Sequence, residues 1–134
     1  MSAFVIIGSV FVLIAALIHL LIFFLESVLW SRPAVWRRFG LKTQAEADTV
    51  KPMAFNQGFY NVFLALGAGV GLVMLGSTNW QQGGIALSIF ASVSMVLAAL
   101  VLITSSPKLA RSAAIQGVAP LIGVVFLVLA LTTA

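Results

Sequence analysis

The chain has no cysteine, one histidine and three acidic residues among its 134 positions. Without cysteine there are no disulfides, thiolate metal sites or cysteine nucleophiles. One histidine and three acids leave almost nothing from which to build a multi-ligand metal site, so neither metal nor cofactor is expected. Charge is scarce, at 7% of residues against about 25% in a soluble domain. No phosphate-cradling glycine loop and no serine–histidine–acid set can be assembled, which leaves nucleotide binding and peptide hydrolysis without supporting residues. What is abundant is apolar: 62% of the chain is hydrophobic and the mean hydropathy is +1.19. A water-soluble globule is excluded.

About 20 apolar residues at about 1.5 Å each cross a hydrocarbon core of about 30 Å. Four stretches qualify: 3–29, interrupted only by His19 and Glu26, then 53–75, 85–104 and 113–131. The short joints at 76–84 and 105–112 force neighbouring spans antiparallel. These features predict an all-α integral membrane four-helix bundle, up-down-up-down, forming one transmembrane domain over 1–134. The first span lacks a basic leader and a small-residue cleavage site, so it is read as retained.

The net charge of +4 suggests nucleic acid only until the charges are placed. Arg32, Arg37, Arg38, Lys42 and Lys51 fall in the first joint, and Lys108 and Arg111 in the third. The positive-inside rule then puts both joints in the cytoplasm and both termini outside, with no nucleic-acid partner. Trp30 and Trp36 are expected at the inner interface and Trp80 at the outer one. Residues 33–39 mix apolar and basic side chains, as a short interfacial helix does. Thr43 and Glu46 fit a capping box opening a helical piece over about 44–50, and Pro52 is expected to separate it from the second span.

In lipid a polar side chain needs a partner, so its angle around the helix is informative. On the second span Asn56, Gln57, Tyr60 and Asn61 share an arc of roughly 140° with Gly67, Ala68 and Gly71, and that arc is expected to face inward. Phe55, Phe59 and Phe63 occupy the opposite arc. On the first span Gly8, Ala15, His19 and Glu26 form a stripe within roughly 40°. The third contributes Ser88, Ser92, Met95 and Ala99, and the fourth opens with Gln116, Gly117 and Pro120. By depth, His19, Glu26, the second-span cluster and Gln116 converge near the cytoplasmic side, predicting a polar pocket that opens inward. Glu26 either reaches the headgroups and Arg32 or is desolvated and bonded to Gln57, Asn61 or Tyr60. His19 is expected to bond across the bundle to Tyr60 or Asn61.

His19, Phe24-Leu25-Glu26, Leu29-Trp30, Pro33 and Phe39, followed by the run from Met53 to Asn61 and by Gln116-Gly117 with Pro120, resemble the small four-span bacterial membrane family called domain of unknown function 1304. The resemblance covers nearly the whole chain and implies a bacterial inner membrane location, but it carries no activity. The four-span proteins of eicosanoid and glutathione metabolism are similar in size. They hold their ligand with arginines in or near the spans, and no span here contains one.

Three functions remain open. The first is a pocket that binds a small lipid-soluble molecule, with Glu26 and His19 as acid or base and Asn56, Gln57, Tyr60, Asn61, Gln116 and Trp30 binding the ligand. A carboxyl in a dry pocket can hold a proton near neutral pH, which suits acid–base work on an apolar substrate. The second is a non-catalytic membrane subunit whose polar residues only fix helix packing, forming a homo-oligomer. The third, proton-coupled transport, suffers from the lack of a second buried acid. Membrane lipids are the expected surroundings in each case.

Overall fold

A computed structural model describes residues 2–133. Helix α1 spans Ala3–Phe23, with Ser2 capping its first turn through the Val5 amide, and runs on into a π-helical turn, Phe24–Val28. Helix α2 is a single turn, Pro33–Trp36, extended by a 3-10 turn over Arg37–Phe39. Gly40 stops it at φ 86°, a left-handed conformation in which glycine meets no Cβ clash. Helix α3 spans Gln44–Leu75 and α4 Gln81–Ser105; a 3-10 turn at Pro107–Leu109 then leads into α5, Ala110–Thr132. No strand occurs among the described residues.

Four segments are long and apolar enough to cross a membrane: Ala3–Val28, Gln44–Leu75, Gln81–Ser105 and Pro107–Thr132. They form a ring in which α1 lies against α3 and α5, and α4 lies against the same two. Each span thus packs beside its predecessor and the last closes on the first. The alternation brings all seven basic residues to one end of the bundle. Large apolar side chains such as Leu17, Leu21, Phe63, Phe90 and Val101 cover the outside, as a surface solvated by acyl chains requires.

Inside, the core is mostly small: Ala15, Ala65, Ala68, Ala91 and Ala119 are buried around Val12, Met95 and Leu127. Lipid offers no hydrophobic drive for helix association, so spans gain by backbone approach at small residues. The seam between α3 and α4 is the clearest case. A Cβ on Gly84 would lie 2.8 Å from the Gly71 carbonyl oxygen and 2.8 Å from the Leu75 nitrogen. Across the ring, Gly8 receives Leu127 and Gly123 receives Val12. Ser88, Ser92, Met95 and Ala99 all face the interior, as their shared stripe predicts.

Three features differ from the sequence reading. Helix α3 is unbroken over 32 residues, about 48 Å, with Pro52 inside it rather than ending a separate piece. Pro52 lacks only one backbone N–H, and the residue whose carbonyl would have received it, Asp48, is exposed. The Trp30 Nε1–H donates to the Ala47 carbonyl at 2.9 Å and pins the helix on the N-terminal side of the proline. Second, Trp30 and Trp36 do not stand out from the protein surface as aromatic-belt residues do. They are 4% and 2% exposed and form a small second core with Ala47 and Ala54. Third, the face of α3 turned inward runs through Ala54, Gly58, Asn61, Ala65, Ala68, Gly71 and Leu75. Asn61, Ala68 and Gly71 of the expected arc lie on it, whereas Asn56, Gln57 and Tyr60 are exposed. Small residues, which permit close approach, set the inward face instead of the amides.

The capping box is present. Thr43 Oγ1 accepts from the Glu46 amide at 3.2 Å, and Glu46 Oε2 accepts from the amides of Thr43 and Lys42. Two stability measurements follow from this geometry. Gly84→Ala should lower thermal stability in detergent by an amount on the order of 1–3 kcal/mol, because its Cβ meets backbone that cannot yield. Gly69→Ala, with nothing within 4 Å of its Cβ position, should be neutral or stabilising. Thr43→Ala should cost about 1 kcal/mol and speed amide exchange over the first turn of α3.

Candidate functional site

The π turn follows directly on the apolar run of α1. The Leu29 amide donates to the Phe24 carbonyl at 2.8 Å, five residues back instead of four. Such turns inside α-helices cluster at functional sites. Ser27 anchors this one to α3: its hydroxyl donates to the Phe55 carbonyl at 2.9 Å and fits where Gly58 leaves room. A Cβ on Gly58 would run into the Ser27 hydroxyl and come within 3.3 Å of Glu26 Cβ. The conjunction of Gly58 and Ser27 therefore fixes the height of Glu26 against α3.

Glu26 is 8% exposed. Its Oε2 accepts from Asn61 Nδ2 at 3.1 Å, and the same nitrogen donates to the Gln57 carbonyl at 3.0 Å. Of the two dispositions open to Glu26, desolvation with an α3 amide partner is the one adopted. Glu26 lines a groove of about 270 Å³ together with Trp30, Phe39, Leu41, Val50, Met53, Ala54 and Gln57. The walls are apolar except for Gln57, because the Trp30 N–H is already engaged by Ala47. Phe39 packs at 5.2 Å from the Trp30 ring, tying the 3-10 turn to the groove wall.

Four of the eight expected site residues gather here: Glu26, Trp30 and Gln57 line the groove, and Asn61 holds Glu26. The other four do not. His19 is 1% exposed, and its Nδ1–H donates to the Ala15 carbonyl at 2.9 Å, not to Tyr60 or Asn61. The reason is local: a carbonyl one turn back is always within reach, Asn61 is engaged by Glu26, and Tyr60 points away. His19 is not among the groove-lining residues. Asn56 and Tyr60 lie on the exposed side of α3, where the Tyr60 ring meets Phe63 edge-on. Gln116 is half-buried in the second turn of α5 and is not among the groove-lining residues. The convergence of polar residues from three spans reduces to two, α1 and α3.

The sequence reading missed the apolar wall. Val50, Met53, Ala54 and Gln57 follow i, i+3, i+4 and i+7, a helical stripe that an unbroken α3 would have revealed. Among the described residues no group of three or more histidine and acidic side chains could hold a metal ion.

A family model described as Protein of unknown function (DUF1304) matches residues 13–128. No curated protein and no solved structure matches the chain. The matched residues take in every residue of the groove, the π turn and most of each span, and the chain belongs to the DUF1304 family.

Proposed function

We propose that the groove binds a small amphiphilic molecule drawn from the membrane. Its apolar body would lie against Phe39, Leu41, Val50 and Met53, and a hydrogen-bond-donating group on it would meet Glu26. The observation that carries this reading is a buried glutamate lining a groove that is apolar apart from Gln57, with Asn61 as its side-chain partner. In so dry a setting a donor offered to the carboxyl gains more than it would in water. On the positive-inside rule the groove would open toward the cytoplasmic side, and the family resemblance suggests a bacterial inner membrane. Any acid–base work on the ligand falls to Glu26 alone, since His19 lies outside the groove and is bonded to its own helix.

A second reading, a non-catalytic subunit that self-associates, is favoured by one feature. Asn56, Phe59, Tyr60 and Phe63 leave an exposed aromatic and polar strip along α3. Extraction and mass spectrometry of protein purified in mild detergent separate the two. Wild type should carry a co-purifying amphiphile. Glu26→Gln should carry at least tenfold less, a contact to a charged group being worth about 1.5–3 kcal/mol, with unchanged elution and thermal midpoint. Protein that carries no small molecule in either form, as a stable oligomer, would sink the binding reading and favour the subunit.

A further inference from the structure

A second groove lies on the far side of the ring from Glu26, between α4 and α5. It has a volume of about 160 Å³ and a wall made only of apolar residues, among them Ala99, Leu100, Ile103, Ala114, Gly117 and Val118. Its origin is visible in the side chains. A Cβ on Gly117 would come within 2.7 Å of the Ala99 Cβ, so the two helices touch at small residues while larger neighbours stand out on either side. The result is a slot open to the lipid.

The hairpin that joins the two walls of the slot, beyond Ile103 and before Ala113, carries Lys108 and Arg111, both exposed. Arg111 stands three, seven and ten residues before Ala114, Val118 and Leu121, so it shares a helix face with one wall of the slot. The charge on this hairpin is uncompensated in sequence: the three acids, Glu26, Glu46 and Asp48, all belong to the α1 and α3 side. An apolar slot whose two walls are joined by a hairpin bearing two exposed cations has the complementarity of an anionic phospholipid.

We propose that the α4–α5 groove is a binding site for an anionic phospholipid, with an acyl chain in the slot and the phosphate on Lys108 and Arg111. Topology accounts for two basic residues on this side of a membrane, and it makes no demand for a slot beneath them. Each headgroup cation near a membrane surface contributes about 1 kcal/mol, so the pair corresponds to about thirtyfold in affinity. The site is independent of the Glu26 groove.

The experiment is native mass spectrometry of delipidated protein titrated with phosphatidylglycerol and, separately, phosphatidylcholine. Wild type should bind one phosphatidylglycerol at least tenfold more tightly than phosphatidylcholine. Lys108→Gln with Arg111→Gln should abolish that preference. Ala114→Phe, which fills the slot from an exposed position, should weaken binding of both lipids, and Val118→Trp serves the same purpose should Ala114→Phe fail to fold. Glu26→Gln should bind phosphatidylglycerol as wild type does. Equal affinity for the two lipids in wild type would overturn the proposal. So would phosphatidylglycerol binding undisturbed by a filled slot, which would mean charge attraction alone.

Discussion

Close approach of backbones at small residues is the constraint on which the rest of the structure depends. Between spans there is no water to expel, so association rests on dispersion and on how near two helix axes can come. Gly71 against Gly84, Gly8 against Leu127 and Gly117 against Ala99 set those distances. Once they are set, each helix has its rotation fixed. Polar residues on the chosen face, such as Asn61, are carried inside, and those off it, such as Tyr60, are carried out. The Glu26–Asn61 bond is a product of that alignment. Asn61 can reach Glu26 because Gly58, one turn earlier, lets α1 come close.

The two cores divide the molecule into regions of different character. The bundle interior is alanine-rich and nearly sealed, with Ser88 and Ser92 wholly buried in it. The basic end holds instead a compact cluster of two tryptophans over the first turns of α3. Glu26 sits where the span ends, its backbone in the last helical turn and its carboxyl bonded to Asn61 on α3. One turn later comes Trp30, already a member of the tryptophan cluster. The groove is lined by that cluster's Trp30, Phe39, Leu41, Val50 and Ala54 together with Glu26.

Much of this was legible in the sequence, and the illegible part has a physical cause. Span number, antiparallel order and the common end of the basic residues follow from hydropathy, joint length and charge, all of which are properties of composition over windows. The Gly8-to-Glu26 stripe and the Ser88-to-Ala99 stripe also read correctly, since both are governed by small or buried residues along one helix. The α3 face was legible only in part: Asn61, Ala68 and Gly71 do turn inward, but Asn56, Gln57 and Tyr60 do not, because close approach at Ala54, Gly58 and Ala65 set the rotation. Pro52 misled for a different reason: a helix breaker is judged locally, while the hydrogen bond from Trp30 to Ala47 that holds the helix comes from 17 residues away. The π turn has no sequence signature, as it depends on how its own Ser27 meets Gly58 and the Phe55 carbonyl on α3.

That turn also bears on how the chain tolerates change in length. A π turn is an α-helix that has absorbed one additional residue without lengthening its hydrogen-bonded path in proportion. It is the last turn of the span: Leu29 leaves the helix at φ −101°, and Trp30 lies in the turn that follows. Because the hydrogen-bonded path ends there, the register of α1, locked by Gly8 and His19 within the bundle, is not passed on to Trp30, which takes its position from Ala47. The membrane-embedded seam and the basic-end cluster can each hold its own phase, and Glu26 lies in the last turn before the break.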